Sequence, residues 1–112
     1  GKIGQFFWHD VEKLPRDGSI TLLDTRTATE VARGRIDGFM HIPLDSLRER
    51  IHEIPVGKPV YVHCHSGLRS YIACRILAGF GFECYNLAGG WRLYESVINE
   101  RTVPEYICTE CK

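Results

Sequence analysis

The sequence predicts an α/β domain whose largely parallel, five-stranded sheet is covered by helices on both faces. Three observations carry this. Short β-type runs alternate with helix-type segments along the whole chain, as successive strand–helix units do. Val60-Tyr61-Val62-His63 is a nearly unbroken β-branched and aromatic run, the pattern of a central parallel strand buried on both faces. Glycines and prolines fall between the runs, and no internal repeat or low-complexity tract interrupts them.

The elements follow in order. Gln5-Phe6-Phe7-Trp8 reads as an edge strand, after which Asp10 caps a short helix over residues 11–14. Ile20-Thr21-Leu22-Leu23 is a strand ending at Asp24, and Thr27 with Glu30 forms a capping box for a helix that stops before Gly34. Phe39-Met40-His41-Ile42 is a second strand of this kind, closed by Pro43. Leu44, Leu47 and Ile51 then have helical spacing, predicting a helix through residues 45–52. A linker over residues 55–59 leads into the central strand. Behind it, Leu68, Ile72, Ile76 and Leu77 mark a helix over residues 67–78 that Gly79 ends. Residues 82–87 form the fifth strand, and Gly89-Gly90 turns into a helix from Trp91 to about Asn99.

Size and charge exclude several function classes. A chain of 112 residues, 44% hydrophobic and 25% charged, suits one domain with its own core. We assign that domain to residues 1–100 and a tail to 101–112. Fourteen basic residues balance fourteen acidic ones, so no global field points to nucleic acid or to an anionic membrane. No apolar stretch approaches the roughly 20 residues that span a bilayer, and no basic-then-apolar leader opens the chain. Five cysteines with one close pair do not form the framework of a secreted disulfide scaffold, so a cytoplasmic, reducing setting is expected. The chain opens Gly1-Lys2-Ile3 without methionine, as a segment cut from a longer polypeptide would.

The chemical centre is Cys64. In an open α/β sheet ligands bind beyond the carboxyl ends of the strands, and Cys64 lies where the central strand gives way to its helix. Free backbone N–H groups in that loop, with the guanidinium of Arg69, should favour the thiolate without a histidine base. His65 lies beside the sulfur, where it either contacts substrate or points to water. Ser66 and Ser70 either donate to bound sulfur or oxyanion or, for Ser70, serve the helix end. Asp24 and Arg26, at the end of their strand, are assigned to bracing the sheet edge. Cys74 and Cys84 fall in apolar segments and are expected to be inert packing.

His63-Cys64-His65-Ser66-Gly67-Leu68-Arg69-Ser70 resembles the active-site loop of rhodanese-like sulfurtransferases. The likeness covers about residues 8–97 in order, through Leu23-Asp24-Thr25-Arg26, the segment from Glu30 to Pro43, and Leu87-Ala88-Gly89-Gly90-Trp91. Arg35 departs from it, standing where the family usually shows histidine before an isoleucine. The resemblance implies a single three-layer domain, with Cys64 and Arg69 catalytic and His65, Ser66, Gly67, Leu68 and Ser70 forming the substrate-binding loop. It implies a sulfur relay through a Cys64 persulfide, from a small anionic donor such as thiosulfate or a low-molecular-weight persulfide to a thiol or cyanide. No metal and no organic cofactor is implied.

Softer similarity, through Phe7-Trp8-His9-Asp10-Val11 and residues 54–62, links the chain to rhodanese domains at the C-terminus of flavin-dependent coenzyme A disulfide or persulfide reductases. A fused or separate flavin-dependent reductase is the partner this implies, with FAD and NADH bound there and not here.

Two rival classes stay open at this stage. A cysteine phosphatase or arsenate reductase shares the fold family, but such phosphatases place arginine six residues after the cysteine, whereas Cys64 to Arg69 is five steps. A regulatory module without chemistry is the other, and this chain keeps the nucleophile that such modules often lack. Cys108-Thr109-Glu110-Cys111 is half of a four-ligand zinc site, a redox pair, a sulfur acceptor, or a tail without a role.

Overall fold

The computed structural model describes residues 3–102. Five strands, β1 (Ile3–Phe6), β2 (Thr21–Asp24), β3 (Met40–His41), β4 (Val60–His63) and β5 (Cys84–Leu87), form one sheet in the order β1-β5-β4-β2-β3. All four pairings are parallel, and β4 lies at the centre as its apolar run predicts. The helices are α1 (Ala28–Ala32), α2 (Leu68–Gly79) and α3 (Gly90–Thr102).

Alternation along the strands splits the core in two. Leu23, Val60, Val62 and Cys84 face one side, where Ala73, Cys74 and Leu77 of α2 meet Leu47 and Ile54. Leu22, Tyr61, Tyr85 and Leu87 face the other, under Val11, Ile36, Phe39 and the α3 residues Trp91 and Tyr94. Each fully buried aliphatic side chain contributes about 1.5–3 kcal/mol, so sheet and cover hold each other in register. α1 buries none of its residues. It is held by its cap, with Thr27 Oγ1 accepting from the Glu30 N–H at 3.2 Å and Glu30 Oε1 accepting from the Thr27 N–H at 2.9 Å.

Several boundaries differ from expectation. The helix predicted over residues 45–52 is two 3-10 turns, Leu44–Ser46 and Ile51–Glu53. Side chains three apart eclipse in a 3-10 turn, so Leu44, Leu47 and Ile54 reach the core without an α-helix. β1 ends at Phe6, because Trp8–Lys13 winds into a 3-10 helix and the Asp10 carboxylate accepts the Phe7 N–H at 3.1 Å. Asp10 thus closes that helix start from within, two residues after it begins. β3 keeps only two of the four predicted residues, and β5 starts at Cys84, two residues after Phe82. α3 continues through Thr102, so the boundary drawn at residue 100 falls inside a helix. Cys108 and Cys111 lie outside the described residues.

Candidate active site

β4 ends at His63, at the carboxyl edge of the sheet, and Cys64 follows it with no exposed surface. The chain curls around the sulfur before α2 begins. Gly67 makes this possible, because its φ of +102° is a conformation that side chains with a Cβ rarely adopt. Its N–H then points inward and donates to Cys64 Sγ at 3.1 Å.

A second donor comes from the first turn of α2. Ser70, fully buried, places Oγ 3.3 Å from Cys64 Sγ. The same hydroxyl hydrogen-bonds Asn86 Oδ1 on β5, and it has a single hydrogen for both acceptors. Asn86 is oriented by its other end, where Nδ2 donates to the Gly67 carbonyl at 3.1 Å. The sulfur, the loop glycine, the helix serine and the strand asparagine therefore form one closed network.

The loop is also held from outside. The N–H groups of Trp91 and Arg92, unpaired within a helix start, donate to the carbonyls of Cys64 at 2.7 Å and His65 at 2.8 Å. With these carbonyls turned toward α3, the Gly67 N–H is left to face the sulfur. The approach requires glycine at position 90, where a Cβ would stand 2.5 Å from the Cys64 carbonyl oxygen.

The remaining loop residues separate into two groups. His65, Ser66 and Leu68 are exposed, Leu68 by 67%, at the mouth of the loop. Ser66 lines a cleft of about 400 Å³ with Gly89, Arg92, Leu93 and Ser96. Arg69 turns to α1, where its Nη1 and Nη2 donate to both oxygens of Glu30 at 2.7 and 2.8 Å. The direction of this guanidinium, which the sequence leaves open, is set by the bidentate pair with Glu30. The Arg69 hydrogen bonds hold the Glu30 carboxyl down at about 2, and Glu30 in turn raises Arg69.

Asp24 and Arg26 form a buried pair below the loop, Nη2 to Oδ2 at 2.8 Å. The Arg26 guanidinium stacks 4.6 Å over the Trp91 ring and donates to the Gly34 carbonyl, tying β2 to the opening of α3. Burial pushes the Asp24 carboxyl up, but the hydrogen bonds and charge of Arg26 leave it below its ordinary value. His63 is buried with neither ring nitrogen hydrogen-bonded, its Nε2 3.4 Å from Asp24 Oδ2 and its ring edge-on to Phe39. Burial lowers it to about 4, so it is neutral at pH 7. Away from the loop, Cys74 and Cys84 are both buried, and a hydrogen bond between them together with burial pushes Cys74 up, which keeps it a thiol.

Sequence reasoning missed Asn86, Glu30 as the partner of Arg69, and the contact that fixes Gly90. Asn86 carried a signal, since asparagine is depleted in strands and here interrupts an otherwise apolar run. The direction of Arg69 carried none.

A cysteine enclosed in a loop at the carboxyl edge of a five-stranded parallel sheet, with helices on both faces, defines a class of α/β domains built around one sulfur. The chain belongs to the rhodanese-like family, whose domain model matches residues 8–96. It is 36% identical over 80 residues to a sulfurtransferase of Allochromatium vinosum, covering 70% of this chain and 75% of that one. It is similar to reduced CoADR-RHD of Bacillus anthracis, with a TM-score of 0.81 and 38% identity over 91% of this chain. It is also similar to an NAD-dependent persulfide reductase of A. fulgidus, with a TM-score of 0.64 and 34% identity over 82% of this chain. The chain spans only 18% and 16% of those two chains, and 44% of the Bacillus subtilis protein YrkF, to which it is 35% identical over 82 residues.

Proposed function

We propose that this domain is a sulfurtransferase that carries a sulfane sulfur as a persulfide on Cys64. The observation that carries the reading is the enclosure of Cys64 Sγ by the Gly67 N–H and the Ser70 hydroxyl, donors fixed before any substrate arrives. Family membership and the sulfurtransferase relative support the same chemistry.

In the first step the Cys64 thiolate attacks the outer sulfur of thiosulfate, or of a low-molecular-weight persulfide. A bond forms between the two sulfurs as the bond to sulfite, or to the donor thiolate, breaks and its electron pair leaves with that group. In the second step a thiol or cyanide attacks the outer sulfur of the Cys64 persulfide, and the Cys64 thiolate leaves. No net electron is gained or lost by the protein. While Cys64 is a thiol, the Ser70 hydrogen serves Asn86. When it is a thiolate or persulfide, rotation of one hydroxyl delivers that hydrogen to sulfur. Arg69 and Glu30 act together as the wall of the loop, and Asp24 and Arg26 brace the strand end beneath it. The similarity to reductase-borne rhodanese domains supports a flavin-dependent reductase, fused or separate, as the partner, and a cytoplasmic setting suits a free thiol.

The test is intact mass after thiosulfate treatment, with and without reductant. The expected result is a gain of one sulfur atom that reductant reverses and that Cys64→Ser does not show. A mass unchanged by thiosulfate and by persulfide donors alike would remove the reading.

A further inference from the structure

Charge at the mouth of the loop is arranged in an unexpected way. The loop's one guanidinium, Arg69, is matched oxygen for nitrogen by Glu30, both side chains about one-third exposed. The pair presents almost no net charge to an approaching donor. Deeper in, Asp24 cancels Arg26 and His63 is neutral.

A cation without such a partner stands one step to the side. Arg92 makes no ion pair among the described residues, and its backbone N–H holds the His65 carbonyl, which fixes it beside the loop. It lines the 400 Å³ cleft with the hydroxyl residues Ser66 and Ser96 and the half-exposed Leu93. The cleft joins the sulfur loop through Ser66, which follows Cys64 by two residues.

We infer that the donor is the persulfide of a small thiol whose negative charge lies several bonds from the transferred sulfur, that charge being received by Arg92, while Glu30 discriminates against thiosulfate by cancelling Arg69. The inference rests on reading Cys64 as the sulfur carrier and names the substrate class for that site. In thiosulfate the sulfonate charge is one bond from the sulfur under attack and must enter the loop with it. There it meets a neutralised wall. In a thiol persulfide, R–S–S⁻, a carboxylate or phosphate on R extends sideways into the cleft while the outer sulfur reaches Cys64. The Cys64 thiolate then bonds to that outer sulfur, the bond to R–S breaks, and R–S⁻ departs with the electron pair and takes a proton from water. Glu30 is a specificity-determining residue and touches no reacting atom.

The experiment measures kcat/KM for thiosulfate and for glutathione persulfide with the whole chain, and the rates at which Cys64 is alkylated by anionic iodoacetate and neutral iodoacetamide. Glutathione persulfide should be the better donor in the parent. Glu30→Gln keeps the capping box, in which glutamine substitutes for glutamate. It should lower the KM for thiosulfate and raise the iodoacetate-to-iodoacetamide ratio, each by about threefold, the scale of an exposed charge pair. Arg92→Ala, at an exposed position, should raise the KM for glutathione persulfide by about threefold more than that for thiosulfate. Preference of the parent for thiosulfate, an alkylation ratio untouched by Glu30→Gln, or equal effects of Arg92→Ala on both donors would each overturn the inference. Failure of Cys64 to take sulfur from either donor would overturn the sulfur-carrier reading instead.

Discussion

Lowering the pH from 7 to 5 should destabilise the fold by about 2 kcal/mol through His63 alone. The imidazole is buried between Phe39 and Asp24 with both nitrogens unsatisfied, and burial lowers it from 6.5 to about 4. A group depressed in the folded state contributes its full stability above the unfolded value and loses it as pH falls toward the folded one. The unfolded chain accepts a proton near pH 6.5 that the folded chain refuses until pH 4. Linkage over that window gives about 2 kcal/mol at pH 5 and about 3 kcal/mol at pH 4. Asp24 and Glu30 are depressed too. Their contributions hold above their unfolded values, 3.8 and 4.5, so they weaken only at the acid end of the range. Urea denaturation at pH 7 and pH 5, with a linear extrapolation, measures the loss, and His63→Phe, which keeps the Asp24–Arg26 pair, isolates it. A parent protein equally stable at the two pH values, or an undiminished loss in His63→Phe, would refute the assignment of a buried neutral histidine beneath the loop.

Three variants test the loop itself. Gly90→Ala drives a Cβ into the Cys64 and His65 carbonyls and should slow thiosulfate-to-cyanide transfer by about 100-fold, the cost of misplacing a reacting group by about 1 Å, while a thermal melt still shows a folded protein. Ser70→Ala removes one of two donors to the sulfur and leaves Asn86 Oδ1 without its partner, so persulfide formation followed by mass should slow by about tenfold, the equivalent of one hydrogen bond. Cys64→Ser should abolish transfer measured as thiocyanate, whereas Cys74→Ser, whose thiol lies away from the loop, should retain most of it if it folds.

What could be read in advance follows the range over which each feature is encoded. The central placement of β4 is written in four consecutive residues, and the α1 cap in the Thr27–Glu30 pair, so both were legible. The helix expected over residues 45–52 was misjudged because the step of three from Leu44 to Leu47 serves an α-helix and a 3-10 turn alike, and only the packing of Leu47 in the core decides between them. The position of Cys64 at a strand-to-helix junction was legible from the chain order. The surroundings of its sulfur were not, because Asn86, Glu30 and Gly90 come from three other elements. Arg69 shows the limit most clearly. Its guanidinium sits at the end of a long flexible side chain, and Glu30, 39 residues away in sequence, settles where it goes.

The clamp from α3 also bears on synthesis. A chain emerging from the ribosome displays Cys64 well before Gly90, Trp91 and Arg92 exist to take the carbonyls of Cys64 and His65. β1, made before the other strands of this sheet, likewise waits for β5 as its neighbour. Domains complete themselves only after their late segments appear, so the sulfur passes through a stage as an ordinary unprotected thiol, open to any oxidant or electrophile at hand. The enclosure of Cys64 closes only once the start of α3 is in place, and the thiol is shielded by the fold only from that moment.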